Sequence, residues 1–500
     1  VKHNLARLAL YLIAPVALIA CGDDSANSNT QADVGDAGGD SGTIDLPSTY
    51  EFESRFEAGA SSVAFDGQIF RHVLIRALSS RIDGLTAQID DGTIAPTEDG
   101  DVVALLDFYF RFDGESYGDA LLPLTTTPAA LQSTWNDLSS GKDLVGKIAG
   151  NDTVTDHVDW TTAFAGWSDT SLADNGGTIT SPEGFVIALF ETIEQNALDR
   201  ANGVDRHGPD GQPLPVHVTT SGVDLRQLTE KFLLGAVVFH QGADDYLDSD
   251  VDGKGLLSPN TRDADEPFTV LEHAWDEAFG YFGASINYGD YTDEEIAAAG
   301  GRPEFAAGYN DADGDGAINL VGEYVFGAAS NAAKRDRGAN STTDFTADIF
   351  EAFVDGRSLI TAAPDTLTDD QMAALETSRD AIVEGWEAVI AASGVHYINE
   401  VLVDMAAFDT DAYVFVDHAK HWSEMKGFLL AAQFNPASPL TDADFETLHT
   451  LLGDAPTLAA AGVEAIEAYR TNLLEARGLL GDAYGFDAAN LGDDNGLNGW

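Results

Sequence analysis

Three histidine–carboxylate pairs hold the residue types and spacing best suited to chemistry in this chain. His273 and Glu277 lie four apart in LEHAWDEAFGYF, His396 and Glu400 four apart in GVHYINEVL, and His421 and Glu424 three apart in DHAKHWSEMKGF. On a helix either spacing sets an imidazole and a carboxylate on one face. Helical bundles build iron or manganese centres from such inward-facing groups. Imidazole with carboxylate suits iron, zinc or manganese better than calcium, which takes oxygen alone. A single pair fits a local salt bridge or core hydrogen bond equally well. Three pairs drawn from only 11 histidines, all in apolar helical patterns, make a shared metal site the sharper expectation. His418 stands one turn before His421, and Met425 and Phe428 continue that stripe. His240 ends an apolar helix, where it fits as support to a site or as a C-terminal cation; His72 and His449 read as ordinary residues.

A second constellation is made of oxygen alone. Residues 311–319 read DADGDGAIN, the first nine positions of an EF-hand calcium loop. Asp311, Asp313 and Asp315 would converge on the ion, Gly316 would make the turn, Ala317 would offer its carbonyl and Asn319 would complete the run. The closing acid is displaced: position twelve is Gly322, and Glu323 is the next residue. A one-residue shift would bring Glu323 to the ion. The stretch Asp248–Gly253, DSDVDG, repeats the opening without the hydrophobic eighth position or a closing acid. The two loops flank the helix with His273 and Glu277, so ordering them would fix that helix.

These residues need helices to hold them, and the hydrophobic pattern supplies them. Apolar periodicity predicts helices over 67–81, 101–112, 184–198, 224–241, 268–282, 321–334, 343–360, 369–405, 410–434, 442–452 and 462–480. The 369–405 segment has a candidate bend at Gly394, and Asn435-Pro436 stops the 410–434 segment. Residues 49–52 fit a short strand or lead-in, while 121–180, rich in Thr, Asp and Gly, gives no clear pattern. No strand run competes, so the expected architecture is an all-α helical bundle with long acidic loops.

The chain has 500 residues, 44% of them apolar, enough for one large or two modest domains. Its 84 Asp and Glu against 25 Lys and Arg give a net charge of −59, a surface that repels nucleic-acid phosphates and anionic membranes. Such a surface suits high salt and cations. The one cysteine, Cys21, excludes an internal disulfide. Lys2 and Arg7 precede an apolar run over 8–20, too short for a comfortable membrane span and laid out as a signal peptide. Leu18-Ile19-Ala20-Cys21 resembles the lipobox of bacterial lipoproteins, which implies cleavage before a lipidated Cys21. Gly22 in place of Asp implies the outer membrane. The expected organisation is therefore a signal peptide over 1–20, an acidic tether over 21–45, a helical domain over 46–488 and a tail over 489–500.

Residues 272–282, EHAWDEAFGYF, and 419–428, AKHWSEMKGF, resemble the hallmark segments of the bacterial lipoprotein family known as domain of unknown function 4856. Residues 395–400, VHYINE, and the 311–324 loop fit the same pattern. The family is associated with imelysin-like proteins, helical surface proteins implicated in iron uptake and once classed as peptidases. Imelysins carry G-x-H-x-x-E; here Gly394-Val395-His396 starts that motif, its sixth position is Asn399, and Glu400 follows. The resemblance implies an imelysin-like bundle, membrane attachment through Cys21 and partners in iron uptake. Neither an H-E-x-x-H zinc motif nor a G-x-S-x-G elbow is present to support a hydrolase. The expected function is a cell-envelope lipoprotein that binds a metal ion, iron foremost, with structural calcium. Its alternative is a surface scaffold with structural His–Glu pairs.

Overall fold

A computed structural model of the chain describes residues 47–168, 172 and 178–500. The expected signal peptide, Cys21 and the tether lie outside the described residues. Among the described residues the structure is all-helical, with β-type pairing confined to isolated bridges. The longer helices are α1 (Asp66–Asp90), α2 (Val103–Phe110), α3 (Pro182–Ala201), α4 (Leu225–Leu233), α5 (Val270–Phe282) and α6 (Gly327–Gly338). They continue with α7 (Phe345–Ala362), α8 (Asp369–Ala406), α9 (Phe415–Leu429), α10 (Asp442–Leu452) and α11 (Val463–Tyr484). No described helix is long and apolar enough to cross a membrane.

The 38-residue α8 is the spine, with α7, α9, α6 and α11 packed along it. It begins at a capping box in which the Thr368 hydroxyl accepts the Gln371 N–H and the Gln371 side chain accepts the Thr368 N–H. Trp386, Ile398, Val401 and Leu402 recur on its buried side. It continues as one helix through Gly394. The glycine lets α9 approach closely: a Cβ there would sit 2.4 Å from Leu429 Cδ2 of α9.

Helix α5 is fixed by a buried ionic knot. Arg357 of α7, fully buried, donates to Asp276 Oδ1 at 2.8 Å, Glu272 Oε1 at 3.1 Å and Ser62 Oγ at 2.7 Å. Tyr50 donates to Asp276 at 2.8 Å, and Arg55 reaches Glu272 at 3.1 Å. Trp275 donates its indole N–H to the Phe353 carbonyl at 2.9 Å. Glu272, Asp276 and Trp275 of the EHAWDEA segment are thereby engaged in fastening α5 to α7.

Helix α6 starts at Gly327, six residues later than its pattern predicts. The intervening backbone is committed elsewhere: Tyr324 bridges Tyr309, Val325 N–H donates to the Gly308 carbonyl, and Phe326 N–H to the Gly283 carbonyl. The C-terminal segment folds back onto α8. Asn399 donates to the carbonyls of Leu491 at 3.1 Å and Trp500 at 2.9 Å, and accepts from Arg477 at 2.7 Å.

Candidate metal centre

The predicted 224–241 helix is α-helical only to Leu233. It then widens into two π-helical segments, Leu234–Phe239 and Gln241–Tyr246, joined at His240. π-Helical turns are uncommon and recur at functional sites. Two glycines let neighbours press against this stretch: a Cβ on Gly235 would lie 2.5 Å from Ala431 Cβ, and one on Gly242 would lie 2.6 Å from the Trp386 ring.

His240, 1% exposed, faces Asp156 and Asp244. Its Nε2 lies 3.0 Å from Asp156 Oδ1 and its Nδ1 3.8 Å from Asp244 Oδ2. Neither ring nitrogen and neither Asp156 oxygen completes a hydrogen bond within the protein, and both polar atoms of Gln241 also lack one. Buried polar groups left so are rare and call for an explanation. The Asp156–His240 separation is short enough for a hydrogen bond, so alignment is what fails. Donors aimed at a common point between them, rather than at one another, have that geometry.

A second group adjoins the first. The His157 Nδ1 pairs with Asp244 Oδ1 at 2.6 Å. Its Nε2 stands 3.2 Å from both Asp250 oxygens and 3.7 Å from Asp248 Oδ2. The 248–253 loop is shaped by Asp248, whose Oδ1 accepts the Asp250 and Val251 N–H groups. Burial pulls the His157 imidazole down, yet Asp244 and Asp250 carry it above its ordinary value. Burial raises Asp244 despite its hydrogen bond with His157, and raises Asp245 despite Lys147 beside it. The result is two donor triads, Asp156–His240–Asp244 inside and His157–Asp248–Asp250 at the surface, linked through His157 and Asp244. Two imidazoles with four carboxylates suit iron, manganese or zinc.

The Asp311, Asp313 and Asp315 carboxylates form the third such group among the described residues. Asp311 Oδ2 accepts the Gly316 N–H at 2.9 Å, and its Oδ1 is buried without a hydrogen bond. Glu323 closes the loop through the backbone: Oε1 accepts from Ala312 and Asp313, and Oε2 from Asn319. The Asn319 Oδ1 is engaged by Gln132 and by Val321 N–H. Ile318, fully buried, anchors the loop on residues 129–131.

Among the described residues, none of the three predicted His–Glu pairs falls in a group of three or more donors close enough to share an ion. His273 and Glu277 are 3.7 Å apart on α5; the ring stacks on Phe268 at 4.5 Å, and Glu277 accepts from Gln68 at 2.7 Å. Of the other two pairs, Glu400 of α8 and His421 of α9 come near each other along the α8–α9 seam. The His421 Nδ1 meets Asp404 Oδ2 at 2.8 Å, and its ring stacks on Tyr397, which also touches His396. Burial lowers His421, but Asp404, with Glu400 and Glu424, carries it above its ordinary value. Glu424 turns the other way, its Oε1 3.7 Å from Lys231 Nζ.

Part of the π-helical centre was within reach of sequence reading, because His240 and Asp244 are four apart and DSDVDG follows directly. Asp156 and His157 gave no signal, since they sit in the stretch without a clear pattern. No curated protein matches the chain, and no solved structure matches it. A family model described as "Domain of unknown function (DUF4856)" matches residues 186–451, a span that takes in the π-helical segment, the 311–323 loop and all three His–Glu pairs but stops short of Asp156 and His157. With more than half of its length matched, the chain belongs to the DUF4856 family.

Proposed function

We propose that the protein is a lipid-anchored protein of the cell envelope that binds a transition-metal ion, iron foremost, in uptake or handling. The ion sits at Asp156, His240 and Asp244, with His157, Asp248 and Asp250 as the outer donors. The observation that carries this reading is the pair of buried side chains, His240 and Asp156, whose polar atoms face each other without a hydrogen bond. Leaving such atoms unsatisfied costs about 1–3 kcal/mol each, and a cation between them removes that cost. The outer triad includes exposed Asp250, so it offers first contact to an ion arriving from solvent. The anchor rests on Cys21 and its lipobox-like setting. Calcium is assigned to Asp311, Asp313 and Asp315, with Glu323 holding the loop in shape.

The test is metal analysis of protein purified without a histidine tag and incubated with ferrous, manganous or zinc ion. The expected content is near one transition-metal ion per chain, lost in the Asp156→Asn/His240→Leu double variant and kept in His421→Ala. No retained transition metal, or equal content in the double variant, removes the proposal. Calcium alone would favour a surface scaffold, a reading supported by Glu277 being held by Gln68 of α1 rather than facing an ion.

A further inference from the structure

A cavity of about 250 Å³ lies between α1, α4 and α6. Its charge runs against that of the molecule. Arg76, Arg226, Lys231 and Lys334 face it, against the two carboxylates Asp83 and Glu230. Acids outnumber bases 84 to 25 in the whole chain, so a wall of average composition would hold roughly three acids per base. Here bases outnumber acids two to one, with Lys231 buried and Arg76, Arg226 and Lys334 half-buried.

The arrangement is built by helix register. Arg76, Ser79, Ser80 and Asp83 follow i, i+3, i+4, i+7 spacing on α1, Arg226 and Glu230 are one turn apart on α4, and Ser330 and Lys334 one turn apart on α6. Arg76 donates to the Tyr324 hydroxyl at 2.6 Å and lies over that ring, and among the described residues it makes no ion pair. A guanidinium has five N–H donors, so a neutral phenol leaves most of its capacity for an anion. The field inside is felt by Glu230. Burial pushes its carboxyl up, but Lys231, Ser79 and Arg226 bring it down to about 2. Ile75, Leu234, Val325 and Phe326 add an apolar wall.

We propose that this cavity binds a small organic anion carrying two or more carboxylate or phosphate groups. The forked Arg76 guanidinium matches either group, the apolar wall takes the carbon skeleton, and the volume exceeds what a single inorganic ion fills. This site is separate from the metal centre, so the two proposals stand or fall apart.

Isothermal titration of the chelator-treated full chain with tricarballylate, fructose 1,6-bisphosphate and inorganic phosphate tests it. The expected result is saturable binding of at least one organic polyanion with Kd below about 1 mM. Arg76→Gln should weaken it at least tenfold, while His240→Leu leaves it unchanged. The stronger of the two organic ligands identifies the head group. Ser330→Asp sets an extra carboxylate in the wall without removing a cation and should cause a similar loss; it decides the matter if Arg76→Gln does not fold. Absence of binding by both organic anions, binding by inorganic phosphate alone, or affinity unchanged in Ser330→Asp overturns the proposal.

Discussion

His240→Leu separates a metal ligand from a structural ion pair. Were His240 and Asp156 a stabilising buried pair, removing one partner would cost about 3–5 kcal/mol whatever metal is present. As ligands they behave differently. Neither makes a hydrogen bond in the protein, so exchanging the imidazole for a similar-sized apolar side chain should lower the stability of metal-stripped protein by no more than about 1 kcal/mol. The loss should appear only with metal: at one hundred times Kd, an ion adds about 2.7 kcal/mol to the native state. With about 2.1 cal/mol/K of unfolding entropy per residue, over roughly 450 residues, 1 kcal/mol moves Tm by about 1 °C. Differential scanning calorimetry of chelator-treated protein, with and without added manganous ion, should therefore show a rise of about 3 °C in the parent and none in His240→Leu, the stripped variant melting no more than about 1 °C below the stripped parent. A stripped variant melting 3–5 °C low, with no metal-induced rise in the parent, would refute the reasoning.

Three further outcomes are expected. Glu323→Ala takes the acceptor from the N–H groups of Ala312, Asp313 and Asn319 and should cost about 2 kcal/mol in urea denaturation even with chelator present. Gly235→Ala forces a Cβ to within 2.5 Å of Ala431 and should cost about 1–3 kcal/mol by thermal melt while weakening metal binding through the displaced π-helical turn. Because the folded His421 has a raised pKa, its share of stability is full below its unfolded value near 6.5 and is lost as pH rises through the folded value. NMR titration should place that value above 6.5 in the parent and lower in Asp404→Asn.

The helices were legible because a 3.6-residue hydrophobic period and local caps are written in contiguous residues. Asp442–Leu452 coincides with its predicted range, and α8 begins at its predicted residue behind Thr368 and Gln371. The exceptions were set by distant partners. The pattern ending at Gln241 reads as one α-helix, yet the wider turns carry on to Tyr246 and so place Asp244 within the helical segment rather than in the following loop. The start of α6 moved because residues 324–326 pair with backbone far away in sequence. Helical spacing showed which histidines and carboxylates share a face, but not what each face would meet: the α5 pair met Gln68 and Phe268, and His421 met Asp404. The most sheltered donor triad needed Asp156, some eighty residues before His240, in a stretch with no periodicity to locate it.

Glu323 gives the acidic loop a character of its own. By gathering three amide groups from both ends of the turn, it sets the curve from within the polypeptide. A calcium ion docking against Asp311, Asp313 and Asp315 would find its seat already shaped and would have little backbone left to reorganise. Arrival and departure of the ion would then pass almost unnoticed by the neighbouring helices, the behaviour of a passive rivet rather than a messenger.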